Sequence, residues 1–305
     1  MLNSMKIGRN DVEEASIKLF EGERLLVFTS LLGFILSAGI AIHIFLNGSL
    51  VLPEGNVKDA FSFNAALGIF LLSIAAILPF SELGTRKRKA IRTLFILGSL
   101  YSYTIETVQN FRGFDPRFSR EGTVIDMIGG MLFGVVSLML VTLAVILMIQ
   151  FFKLKAPFRR PQLILAIRYA LLSVLIANIA GIWMILLQDR MTGESGNLIV
   201  LHGLGFHALQ TLIVPGWLLE RTQLNERHKR MLIHFGSITW MVSIILMGIQ
   251  TALGRTVFEL SPLPILTGCL LFLWLGSVVV ASVFFIRDKS QANLQINHAK
   301  TENVE

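Results

Sequence analysis

Two imidazoles and a carboxamide interrupt one of the most apolar parts of this chain. His202, His207 and Gln210 stand in residues 196–220, GNLIVLHGLGFHALQTLIVPGWLLE, a stretch long enough to cross a bilayer. Imidazoles in such a setting can carry protons, ligate a metal or haem, or hydrogen-bond a buried ligand. His202 and His207 are five residues apart, about 140° on a helix, so they do not chelate one ion as an i, i+4 pair does. His207 shares a face with Gly203, Gln210 and Thr211. Gly203 and Gly205 point to room beside the ring, for a bulky planar ligand or a close neighbouring helix.

A second set lies in an earlier apolar stretch. Ser99, Ser102, Glu106 and Gln109 recur at helical spacing and form one polar stripe, flanked by Tyr101 and Tyr103. Lipid cannot satisfy such a stripe, so it faces the protein interior or a cavity. A carboxyl at membrane depth is costly, which makes Glu106 a candidate ligand-binding group. The competing reading is a carboxyl held by neighbours as interhelical glue. With a rise of ~1.5 Å per residue, His43 lies about 6 Å below one end of its helix, Glu106 about 9 Å and Gln250 about 8 Å. On the same scale His202 is about 6 Å down and His207 about 14 Å. Arg112 and Asp126 lie close to that same surface. The candidate ligand-binding set is therefore Glu106, His207, His202, His43, Gln109, Gln210, Gln250 and Arg112, all in one half of the bilayer. One shared hollow would unite them.

The elements that must position these groups follow from composition. The chain is 53% hydrophobic and only 15% charged, with mean hydropathy +0.67, against roughly a quarter charged in a soluble domain. The expected fold class is therefore all-α: a polytopic membrane protein. Eight stretches are long enough to span, at 24–46, 60–82, 92–111, 124–152, 163–187, 197–219, 231–253 and 264–286. On one side of these, only Lys58, Arg112, Arg117, Arg120, Arg190 and Arg255 carry positive charge. Every other Lys and Arg falls on the opposite side, which the positive-inside rule makes cytoplasmic, with both termini.

The basic residues sit between apolar stretches, so their excess is no nucleic-acid signal; the partner implied is the lipid bilayer. Cys269 is the only cysteine, which excludes an intramolecular disulfide, a CxxC pair and a thiolate metal cage. The acidic opening segment 1–23 does not read as a signal peptide and, from Asp11 to Phe20, predicts a short surface helix. The division expected is 1–23, a first four-span half 24–152, a basic linker 153–162, a second half 163–286 and a tail 287–305.

Gly98-Ser99 with Gln109 and Arg112 has counterparts in Gly236-Ser237 with Gln250 and Arg255, which points to an internal duplication. Four spans per half would make the halves parallel, related by an axis along the membrane normal. Between the third and fourth spans, Gly113 and Pro116 mark a turn across which Asp115 and Arg117 can pair, with Phe114 and Phe118 dipping back toward the interface. Gly130 and Gly134 read as a packing face, and Pro215 as a kink.

The strings HGLGFHALQ (202–210) and ETVQNFRGFDPRF (106–118) resemble a group of bacterial eight-span membrane proteins with a GLHALQ-type span. Gly254-Arg255 departs from the Arg-Gly expected there. The resemblance implies a bacterial cytoplasmic membrane location and no particular chemistry. Haem A synthases share the eight spans, but their cysteine pair and their histidine in each of four spans are missing here.

Four functions remain open. The first is a binding site for a small molecule or cofactor, with haem b held by His43 and His207 or His202, or a quinone oriented by Glu106 and Gln250. The second is a proton-coupled secondary transporter. The third is a metal-dependent enzyme using His43, His202 and Glu106. The last is a purely structural role.

Overall fold

The computed structural model describes residues 17–302, with side chains to residue 291. Apart from two short hairpins the fold is helical. Helix α1 (Arg24–Asn47) leads through a hairpin, β1 (Leu50–Val51) and β2 (Gly55–Asn56), into α2 (Val57–Ile77). A 3₁₀ turn at Leu78–Ser81 ends α2, and α3 (Thr85–Arg112) and α4 (Val124–Lys153) follow. The chain then continues as α5 (Pro161–Leu187), a second hairpin of β3 (Met191–Thr192) and β4 (Gly196–Asn197), α6 (Leu198–Thr211), α7 (Ile213–Leu219), α8 (Glu226–Ala252) and α9 (Pro262–Glu302).

Seven of these helices are long and apolar enough to cross a membrane: α1, α2 with its 3₁₀ turn, α4, α5, α6 with α7, α8 and α9. Helix α3 is equally long at 28 residues. It is less apolar because Arg86, Lys87, Arg88, Lys89 and Arg92 crowd its first turns and a buried polar stripe runs along one face. Strong helix formers in RKRKA carry α3 two turns beyond the expected start. For the same reason α9 continues past 286 to Glu302, where no Gly or Pro stops it. The surface helix expected from Asp11 to Phe20 lies mainly outside the described residues. Residues 19–22 form a turn, and the buried Glu23 after it takes up Arg88 (2.7 Å) and Arg92 (2.8 Å).

Helix starts are fixed by side-chain caps. Asn56, Asn197 and Asn225 each accept from a backbone amide of the helix they open, and Thr123 with Asp126 forms a capping box on α4. Antiparallel pairs pack closely through small residues and hydroxyls. Ser30 of α1 donates to the Gly68 carbonyl (2.7 Å), and Ser173 of α5 to that of Gly205 (2.9 Å). A main core runs through the bundle from Leu71, Ile74 and Phe95 to Leu163, Ile167 and Trp240. Large apolar side chains such as Ile35, Phe45, Ile125 and Phe272 cover its outside, as a lipid-facing surface requires.

The expected Gly130/Gly134 packing face turns out differently, while the span does break ahead of Pro215. Gly130 does not meet a helix: a Cβ there would press on the Arg117 and Pro116 carbonyls, so it makes room for the 113–122 loop, while Gly134 faces open space. Helix α6 ends at Thr211, whose carbonyl Pro215 cannot satisfy because it has no N–H, and α7 restarts after Leu212.

Candidate functional site

Helix α3 carries its polar residues inward. Ser99, Ser102 and Glu106 are fully buried and Gln109 nearly so. What meets Glu106 arrives from the loop after α3. The Arg117 guanidinium reaches into the bundle and pairs with the Glu106 carboxylate at 2.8 Å. It also lies 5.4 Å from the Phe63 ring and 5.5 Å from Phe133, which are themselves edge-on at 5.8 Å. Cation and rings thus form a nearly equilateral triangle, with the carboxylate on the cation. Asn110 donates to the Glu106 carbonyl (2.8 Å) and accepts from the Asn56 amide (3.0 Å), tying the site to the first hairpin. Asn64 donates to Thr107 (2.9 Å). Among the described residues, the buried Asn64 Oδ1 and Tyr103 hydroxyl have no hydrogen-bond partner.

The loop is locked from outside. Asp115 accepts from the amides of Arg117 (2.7 Å) and Phe118 (2.9 Å), so it shapes the turn rather than pairing with the Arg117 side chain. Phe114 packs under Arg112 instead of dipping inward. Glu54, at the tip of the first hairpin, accepts from Ser119 (2.6 Å) and the Arg120 amide (2.8 Å), and its own amide donates to Gly113 (2.8 Å). Burial pushes the Glu54 carboxyl upward, but its hydrogen bonds from Ser119, Arg120 and Asp115 outweigh that and hold it below the ordinary carboxylate range.

A second cluster closes the junction of α3 and α4. Arg112 donates to Gln109 (2.8 Å) and pairs with Asp126 (2.6 Å), which also accepts from Gln109 (2.9 Å) and Thr123. Glu106, Gln109 and Arg112 thus stand together on one helix end, as the sequence leads one to expect.

The other candidates are placed elsewhere. Gln250 donates to Glu259 (3.0 Å) and the Thr256 carbonyl (3.0 Å) beyond the end of α8. His202 is held by the Ala177 carbonyl (2.8 Å), beside Gly181 and Phe206. His207 is exposed on the bundle surface and meets Gln210 (3.2 Å), which reaches Ser73 of α2. Gly205 packs against Ala177 of α5, so the glycine serves a close helix and not a ligand space. His43 bonds Asn47 and sits edge-on to Phe111.

The three imidazoles therefore have three separate surroundings. That does not suit a bis-histidine haem, and Glu106 and Gln250, each with its own partners, do not share one quinone. Among the described residues no three of His, Cys, Asp and Glu come together to hold a metal. Two small hollows, of about 10 and 80 Å³, lie at the opposite, basic end, beside Pro215 and beside Phe80 and Arg160.

Sequence reasoning missed Arg117, Phe63, Phe133 and Asn64. It also missed a fastening that occurs twice. Gly113 and Gly254 both end their helices with positive φ, and their carbonyls accept from Glu54 and Ser195 of the two hairpins. The signal was present as Gln-x-x-x-Gly at 109–113 and 250–254, and as Gly-Asn at 55–56 and 196–197. Comparisons with family models, curated proteins and solved structures find no match, so the functional reading rests on this geometry.

Proposed function

We propose that this chain is an integral membrane protein of eight spans that binds a small molecule at a polar site around Glu106, in the non-cytoplasmic half of the bilayer. Helix α3 is the eighth span: its basic start and its Arg112 end match the two surfaces set by the other helices. The repeated hairpin, Asn cap and glycine fastening support two parallel four-helix halves, α1–α4 and α5–α9, with α6 and α7 as one broken span. Gly98 against α4 and Gly236 against Ser277 of α9 add a further correspondence. The distribution of Lys and Arg supports cytoplasmic termini, and the resemblance noted above supports a bacterial cytoplasmic membrane.

One observation carries the binding reading. A fully buried carboxylate within a span is neutralised by a surface loop and not by a neighbouring helix. Interhelical glue needs no such loop, whereas a site that must open to solvent does. A small-molecule screen by thermal shift in nanodiscs tests it. A ligand should raise the melting temperature of the wild type and lose its effect on Glu106→Gln. A ligand that stabilises both equally would place binding elsewhere.

A second reading, proton-coupled transport, is favoured by the stripe continuing inward from Glu106 through Ser102 to Ser99, whose buried hydroxyl has no partner among the described residues. Proteoliposome uptake that vanishes in Glu106→Gln would support it over binding alone.

A further inference from the structure

We infer that the Glu106 site takes an organic monocation, a guanidinium or a protonated amine, and that Arg117 is its built-in placeholder, displaced when its side chain swings out from the 113–122 loop. This rests on the small-molecule reading above and names its ligand class. A carboxylate and two aromatic rings gathered round one cation, here the Arg117 guanidinium with ring centroids at 5.4 and 5.5 Å from its central carbon, are the set of groups that recognises a desolvated cation. On the same helices as Phe63 and Glu106, the buried Asn64 carbonyl oxygen and Tyr103 hydroxyl have no partner among the described residues and can accept N–H donors.

Charge balance narrows the class further. Withdrawing Arg117 leaves a fully buried carboxylate alone, which is severely unfavourable. With a neutral or anionic ligand the carboxyl has to take up a proton. An incoming cation repairs the loss directly, so cation-for-cation exchange keeps Glu106 ionised and paired throughout. Arg117 can leave because its side chain is a third exposed and its loop is held by Glu54 and Asp115 through backbone amides and Ser119, not through its guanidinium.

The placeholder is tethered, so it competes at the high effective concentration of an intramolecular group. Thermal shift on the purified full chain in nanodiscs, with methylguanidinium chloride as probe, tests this. Neutral methylurea, sodium acetate and sodium chloride serve as controls. Millimolar methylguanidinium should raise the melting temperature of the wild type. Arg117→Ala should respond at about tenfold lower concentration or less, because the internal competitor is gone. Glu106→Gln/Arg117→Ala should not respond.

If Arg117→Ala does not fold, Arg117→Lys keeps the charge and should show a smaller gain in the same direction. A response in Arg117→Ala to methylurea or acetate instead of methylguanidinium would overturn the cation assignment while leaving a small-molecule site. An equal response with and without Glu106 would overturn it as well. No response from any probe in any variant would overturn the cation assignment and leave the small-molecule reading to its own screen.

Discussion

A charge buried beside its partner and a charge buried alone are very different states, and Glu106 permits both to be made. Removing one member of a buried pair typically costs 3–5 kcal/mol. Arg117 is a third exposed, which reduces the expected loss for Arg117→Ala to about 2 kcal/mol. Removing both charges, in Glu106→Gln/Arg117→Ala, should restore part of it. Melting temperatures in nanodiscs check the order; a double variant less stable than Arg117→Ala would mean that the carboxylate is not stranded. Glu54 supplies a pH dependence. Its lowered carboxyl pKa means that the ionised form stabilises the closed loop. That contribution is complete above about 4.3, the ordinary Glu value, and is lost as pH falls below it through the lowered one. Amide protection factors in residues 113–122, taken against the intrinsic exchange rate at each pH, should therefore fall on acidification in the wild type. In Glu54→Gln they should be low already at neutral pH, and a wild-type acid profile in that variant would exclude the clasp.

Loop and hairpin meet at a glycine that admits no side chain. Gly113 has φ +84°, and a Cβ there would lie 2.0 Å from the Leu52 carbonyl oxygen. Gly113→Ala should cost about 2 kcal/mol or more, since a non-glycine residue in this region is strained by roughly 1–3 kcal/mol even without a clash. Gly134→Ala, in open space on α4, should change the melting temperature little. Equal effects of the two would show that the fastening does not hold. The starts of α4 and α6 fall where the apolar stretches begin, and the caps that fix them, Thr123 with Asp126 and Asn197, stand just before. The start of α3 and the end of α9 do not match their stretches, because charged helix formers extend both. The hairpins were not legible, since two-residue strands carry no periodicity and their pairing depends on glycines far along the chain. The stripe on α3 was read correctly as buried, because a polar face within an apolar helix has nowhere else to go. Its partner Arg117 was assigned to Asp115, because sequence shows proximity along the chain and not which way a loop folds over a bundle.

At the scale of the molecule the crossing of α3 decides the number of spans. Cys269 is exposed on α9 and is the only cysteine, so Cys269→Ser gives a clean background for labelling. In intact cells, a cysteine placed at Glu121 should react with a membrane-impermeant maleimide, and one at Lys155 only after permeabilisation. The reverse pattern would invert the orientation, and labelling of both positions without permeabilisation would remove the crossing of α4. A cysteine at Lys87, protected in the same way as Lys155, would establish that α3 runs from one surface to the other. The shared hollow expected from depth alone did not gather all eight candidates. Depth orders side chains along the membrane normal, but it says nothing of rotation, and rotation is what sends His207 outward and His202 toward Ala177.

The doubled fastening has one more consequence. Both glycine locks lie at the hairpin end, while α4 and α5 are joined at the other end by a short basic connection, beside which Arg168 of α5 donates to the Phe151 and Leu154 carbonyls. Cutting the gene within that connection would leave each piece with its own lock intact. The two pieces, translated separately in one cell, should find each other and copurify as a working pair, because nothing in either lock has to be borrowed from the other polypeptide.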